Sequence, residues 1–269
     1  MQTNLEKSQT KKYLLLSILA TGFIMLIANF AGQEVMTLTT NLLYVPVPGA
    51  LVILSIMIAA RFSVKGEHGR AWILFVGVAV SWFIAEQIWL VDDLVYHIDP
   101  FPSLADFFYL AGYPFLFLFS IYYLKPLQGA ISKKTLTYAS LIAMTLLVPS
   151  LYLASVQDSQ ISDFEFVLGL SYPIADTIVL IPALIGVILF FRGEVNFLWS
   201  LMCIAIILNV VADTGFLITS MDGSYYMGHP IDMLFLWAYI LFSFGVYSHI
   251  QIFKKHHPNI KSQSLDDLR

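Results

Sequence analysis

Charge is scarce in this sequence. Asp, Glu, Lys and Arg make up 12% of its 269 residues, against about 25% in a soluble domain. Hydrophobic types supply 58%, and mean hydropathy is +0.78. So little polar surface excludes a water-soluble enzyme, a nucleic-acid-binding domain and a disordered regulator. Net charge is −4, which leaves no basic face for a polyanion. A single cysteine, Cys203, excludes an internal disulfide and any CxxC zinc or redox pair. The chain also lacks HExxH, GxSxG and P-loop signatures. No Lys lies deep in its last apolar stretch to carry a retinal Schiff base, and no His cluster suits haem or a di-iron centre. No cofactor, metal ligand or catalytic residue is therefore assigned.

Long apolar runs are what the sequence does have. A helix needs about 20 mainly apolar residues to cross the hydrocarbon core. Eight stretches qualify: 13–31, 38–60, 71–91, 104–124, 136–156, 166–191, 197–219 and 231–252. The first is long for a signal peptide and has no convincing Ala-x-Ala site, so it reads as a retained helix. The fold class expected is an all-α integral membrane protein with eight transmembrane helices. With eight spans, all 14 Lys and Arg fall in the two tails and in alternate connections, at Arg61, Lys65 and Arg70, at Lys125, Lys133 and Lys134, and at Arg192. The intervening connections hold none. Positive charge is retained in the cytoplasm, so both termini are expected there, in a multi-pass protein of the cell membrane.

The chain resembles itself at a shift of 127 residues. Pro46 then falls on Pro173, Lys65-Gly66-Glu67 on Arg192-Gly193-Glu194, Trp72 on Trp199, and Ala85-Glu86 on Ala212-Asp213. After a one-residue deletion, Asp106 falls on Asp232 and Tyr113 on Tyr239. Charged residues, Trp and Pro are rare letters here, so their coincidence carries weight. The expected organisation is an N-terminal tail (1–12), a four-helix repeat (13–124), a linker (125–135), a second four-helix repeat (136–252) and a C-terminal tail (253–269). Four helices per unit make the repeat parallel, about an axis along the membrane normal, with a pocket at the seam.

Acidic residues gather in the half of the membrane away from the basic connections. Those in its connections (Asp92, Asp93, Asp99, Asp158, Asp163, Glu165, Asp222) read as a solvated anionic surface. Glu86, Asp106, Asp176, Asp213 and Asp232 lie within spans. An ionisable group there is costly and is a functional-site hypothesis by default. Glu86 lies 14 residues past Trp72, or about 21 Å along a helix. With no Lys or Arg nearby, such groups are protonated, hydrogen-bonded by Tyr, Trp, Ser or Thr, or hold a cation. Asp106 and Asp232 have a structural alternative, because a helix N-terminus welcomes a carboxylate. Glu86 and Asp213 sit near helix C-terminal ends, where capping does not apply. With Tyr113 and Tyr239, these five acids are the candidate ligand- or cation-binding residues. The many Tyr and Trp of this half suit an interfacial belt, and some suit a pocket wall for a cationic ligand. Met221, Met227 and His229 fit no fixed metal-binding spacing.

The segment Pro102-Ser-Leu-Ala-Asp-Phe-Phe-Tyr-Leu-Ala-Gly-Tyr-Pro114 and the motif Tyr172-Pro173-Ile-Ala-Asp176 resemble stretches in the multi-helix membrane sensor regions of some bacterial diguanylate cyclases. The resemblance spans about residues 40–250 and implies a sensory role. These 269 residues hold no GGDEF, EAL or kinase domain, so a sensor of this kind signals through a separate partner. The leading expectation is a non-enzymatic sensory or ligand-binding module with an outward-facing acidic, aromatic pocket. The alternatives are a small transporter for a cation or protonated amine, and an intramembrane enzyme using paired carboxylates. The expected partners are the bilayer, a small cation or amine and a signalling protein, with no nucleic acid. Asn209 is the main polar residue inward of the acids in its span, which favours binding over transport.

Overall fold

In this computed structural model, residues 4–62, 66–98, 101–155, 163–191, 197–221 and 223–256 are described. Asp99, Asp158, Asp222, Lys65, Arg192 and the tail beyond His256 lie outside them. Among the described residues there is no strand. The long elements are α1 (Asn4–Ala31), α2 (Gln33–Leu43), α3 (Pro46–Ala59), α4 (Glu67–Val91), α5 (Leu104–Leu124), α6 (Lys133–Ser155), α7 (Asp163–Phe191), α8 (Phe197–Met221) and α9 (Pro230–His256). A π-helical turn (Asp92–Tyr96) extends α4, and a 3-10 turn (Lys125–Ala130) extends α5.

Eight helical stretches are long and apolar enough to cross a bilayer, from Gln9–Ala31 to Pro230–Gln251. They coincide with the eight expected spans, with shifted ends. The second is broken, because Pro46 lacks the N–H that would continue α2 and instead starts α3. Asp92 and Asp93 are not in a loop; they belong to the π-helical turn. Asp163 and Glu165 lie in the first turn of α7. The outward faces carry Phe23, Phe30, Leu141 and Phe191, large apolar groups that hydrocarbon accepts and water does not.

The helices α3, α4 and α5 run in alternate directions, as do α8 and α9. Trp72 near the start of α4 meets Tyr123 near the end of α5 and His249 near the end of α9, with ring centroids 6.1 and 5.2 Å apart. Trp199, near the start of α8, stacks on Tyr123 at 3.8 Å. The Arg61 guanidinium, just after α3, donates to the Ile250 carbonyl of α9 at 3.4 Å. This is the basic end of the bundle. Within the bundle, α3 packs on α4 and α9, and α5 packs on α4 and α7.

Between the two ends lies a layer of buried rings. Phe75 sits 4.8 Å from Phe119 and 5.5 Å from Phe242, and Trp72 sits 5.5 Å from Phe119. Trp82 lies one layer further toward the acidic end, 6.2 Å from Phe242. Its N–H donates to the Tyr109 carbonyl at 3.1 Å, in a stretch of α5 loosened by Pro114 five residues on. The indole reaches that carbonyl because residue 112 is glycine. A Cβ on Gly112 would stand 2.6 Å from the Trp82 Cδ1.

Gly112→Ala is expected to destabilise the protein by about 1–3 kcal/mol, since a buried ring must move to admit the methyl group. Gly129→Ala, at a position with open space around it, should not. Thermal melts of the two purified variants in detergent compare them directly.

Candidate functional site

Near the acidic end, a cavity of about 130 Å³ opens between α4, α5, α7, α8 and α9. It has room for a cluster of waters or one small ligand. All seven sequence-derived candidates, Glu86, Asp106, Asp176, Asp213, Asp232, Tyr113 and Tyr239, line it. Among the described residues, the wall contains no Lys, Arg or His. Trp82, Trp89, Phe101, Phe216 and Phe235 are among its apolar lining.

The two helix-start carboxylates arrive through capping. In α5, Ser103 is the N-cap, and Asp106 reaches back to accept its N–H at 2.8 Å. The other Asp106 oxygen accepts the Tyr172 hydroxyl at 2.6 Å. In α9, Pro230 opens the helix, and Asp232 accepts the Gly228 N–H at 2.6 Å. Gly228 has φ 91°, a conformation that favours glycine. Asp232 also accepts the Tyr225 hydroxyl at 3.2 Å, while its carbonyl accepts from Tyr44 at 3.2 Å. Tyr225 lies outside the spans. Burial, and then the Asp232 carboxyl beside it, push its phenol well above the ordinary range, so it stays a neutral donor. Capping and cavity lining are thus the same residues seen from two sides.

The other three carboxylates have no helix terminus to lean on. Glu86 on α4 accepts the Tyr239 hydroxyl of α9 at 2.7 Å. Asp176 on α7 accepts the Tyr113 hydroxyl of α5 at 2.7 Å. The same hydroxyl lies 3.0 Å from Asp213 on α8. Asn209, one turn below, donates to that Asp213 oxygen at 2.7 Å. Pro173, four residues after Gly169, breaks the α7 ladder where both residues line the cavity. Each of the five acids is therefore held by a tyrosine hydroxyl.

The aromatic residues do more here than form an interfacial belt. Tyr44, Trp89, Tyr109, Tyr113, Tyr172, Tyr225 and Tyr239 all line the cavity. Tyr96 and Tyr226 are exposed. Trp237 faces α1 and donates to the Ile18 carbonyl. Trp89 contributes a buried indole N–H that takes no partner.

Sequence reasoning did not single out Trp82, which stands at the centre of the wall. A usable signal was present. Trp82 and Glu86, Tyr109 and Tyr113, Tyr172 and Asp176, and Asn209 and Asp213 are each four residues apart, and such pairs share a helix face. Four spans carry one such pair each, and the pairs converge on the cavity. Among the described residues, no group of three or more His, Cys, Asp or Glu is arranged to hold a metal ion. No family model, curated protein or solved structure matches the chain.

Tyr113→Phe removes the hydroxyl that two carboxylates share. A destabilisation of about 1–3 kcal/mol is expected, the cost of leaving buried polar groups short of a partner. Tyr152→Phe, at an exposed position on α6, serves as the control. Equal melting midpoints for the two variants would remove Tyr113 from the scaffold of the site.

Proposed function

We propose that this chain is a multi-pass protein of the cell membrane whose cavity faces outward and binds a small cationic ligand, as a sensory or ligand-binding module and not as an enzyme. One observation carries the reading. Five carboxylates line a single cavity in a part of the wall that offers no basic side chain. Tyrosine faces and hydroxyls surround them, as suits a cation held partly through aromatic rings. The outward orientation rests on the distribution of Lys and Arg. A signalling role, with a separate partner as the output, rests on the resemblance to diguanylate cyclase membrane regions.

The duplication is part of the proposal, and the contacts support it. Tyr113, in the first half, donates to Asp213 in the second; Tyr239, in the second half, donates to Glu86 in the first. Under the repeat relation, with its one-residue deletion, these two hydrogen bonds exchange. The helix contacts α3 with α9 and α7 with α5 exchange in the same way. Glu86 and Asp213 then face the seam from opposite repeats.

Binding is favoured over transport by the ring layer of Phe75, Phe119, Phe242 and Trp72 beneath the cavity. A transporter needs a polar route to both sides. In proteoliposomes, a ligand that stabilises the protein should show no protein-dependent flux; flux would convert the module into a transporter.

Orientation is tested in a Cys203→Ser background. An impermeant thiol reagent applied to intact cells should label Ser224→Cys and not Ser132→Cys; the reverse pattern would invert the topology.

The site is tested with Glu86→Gln and Asp213→Asn. Each keeps an acceptor for its tyrosine and removes a charge from an anionic cavity, so each apo protein should be as stable as the parent or more so. Each should also lose most of the thermal stabilisation that a cation gives the parent. Two destabilised variants with an unchanged cation response would make these residues scaffold.

A further inference from the structure

The five carboxylates are not equivalent, and their difference points to the kind of cation. Asp106 and Asp232 each take a backbone N–H and a tyrosine hydroxyl, one on each oxygen. Their hydrogen-bonding needs are met by the fold. Glu86 is 7% exposed and accepts the Tyr239 hydroxyl at 2.7 Å. Asp176 is 4% exposed and has Tyr113 as its donor, a hydroxyl it divides with Asp213. One phenol carries one hydrogen, so it cannot satisfy both acids at once. Asn209 donates to Asp213, so with the Tyr113 hydrogen given to Asp176 each acid of this pair has one side-chain donor. Asp176 with Asp213, and Glu86, are therefore less fully supplied with donors than Asp106 and Asp232, and have oxygens left to take more.

These two places flank one ring. Trp82 lies 6.0 Å from Tyr113 and 6.2 Å from Tyr239, edge to face with both. Each tyrosine holds the carboxylate on its own side. The arrangement is two anionic stations whose tyrosines pack on one shared indole. A transition-metal ion fits it poorly, since among the described residues no three His, Cys, Asp or Glu side chains are arranged to hold a metal ion. A single ammonium group would satisfy one station and leave the other short of donors.

We propose that the cavity takes a linear aliphatic diammonium ion. One ammonium group sits between Asp176 and Asp213 beside Tyr113, and the other sits at Glu86 beside Tyr239. The methylene chain crosses the face of Trp82. Each ammonium group supplies three N–H donors, which makes good the deficit at each end. This assignment rests on the cation-binding reading above and adds to it the valence and shape of the ligand.

Calorimetric titration of the purified full chain with diaminobutane, diaminohexane, butylamine and magnesium tests it. At least one diamine should bind about 100-fold more tightly than butylamine, the lower range of what joining two binding groups through one linker yields. This comparison needs no variant. Glu86→Gln and Asp176→Asn should each abolish the preference for diamine over butylamine, with melting midpoints recorded to show that each variant is folded. Equal affinity for diamines and butylamine would overturn the two-station arrangement and leave the cation-binding reading standing. Binding of magnesium alone would overturn the amine assignment in the same way. If none of the four binds, both readings fall.

Discussion

The structure turns on one interaction, the hydrogen bond from a tyrosine hydroxyl to a carboxyl group inside an apolar bundle. A carboxylate without a partner in such surroundings is among the most expensive groups a protein can bury. Lysine or arginine would be the ordinary remedy, and the cavity wall has neither. Tyrosine is the remedy used. It brings a ring that packs with the apolar lining and a hydroxyl that donates to the acid. The bonds from Tyr113, Tyr172 and Tyr239 tie α5 to α7 and α8, α7 to α5, and α9 to α4. The same bonds that make the acids tolerable thus hold the helices around the cavity. Neither task is separable from the other, which is why Tyr113 and Tyr239 are at once scaffold and wall.

Much of the fold was legible because the rules for spanning helices are simple. Length, hydropathy and the placement of Lys and Arg give eight stretches, and the helices follow them closely. The errors occur where backbone chemistry, not hydropathy, decides. Pro46 splits the second stretch, and the π-helical turn draws Asp92 and Asp93 into helix although polarity marks them as loop. Hydropathy averages over a window and does not register a single missing N–H or one extra residue per turn.

The site was legible in its acids and less so in its aromatic residues. Glu86, Asp106, Asp176, Asp213 and Asp232 stand out because charge within a span is rare. Trp82 and Tyr172 do not, because an aromatic residue in such a chain has three ordinary homes: the lipid face, the interface and the core. Only the four-residue spacing to an acid distinguishes them. The partners in space, such as Tyr113 with Asp176 or Tyr239 with Glu86, are 63 and 153 residues apart. No local pattern announces such pairs.

Asp232 gives the cavity a mechanical connection. Its two oxygens hold Tyr225 and the Gly228 N–H, both in the segment between α8 and α9. Tyr225 and Met227 of that segment are also part of the cavity wall. The segment is further latched from the other side, where Gln33 at the start of α2 donates to the Met227 carbonyl at 3.1 Å. The carboxyl group that borders the contents is therefore the hook from which the border itself hangs. Anything inside that competed for those oxygens would slacken the hook, and the slack would pass through Met227 to the junction of α1 and α2, whose described residues are not part of the cavity wall.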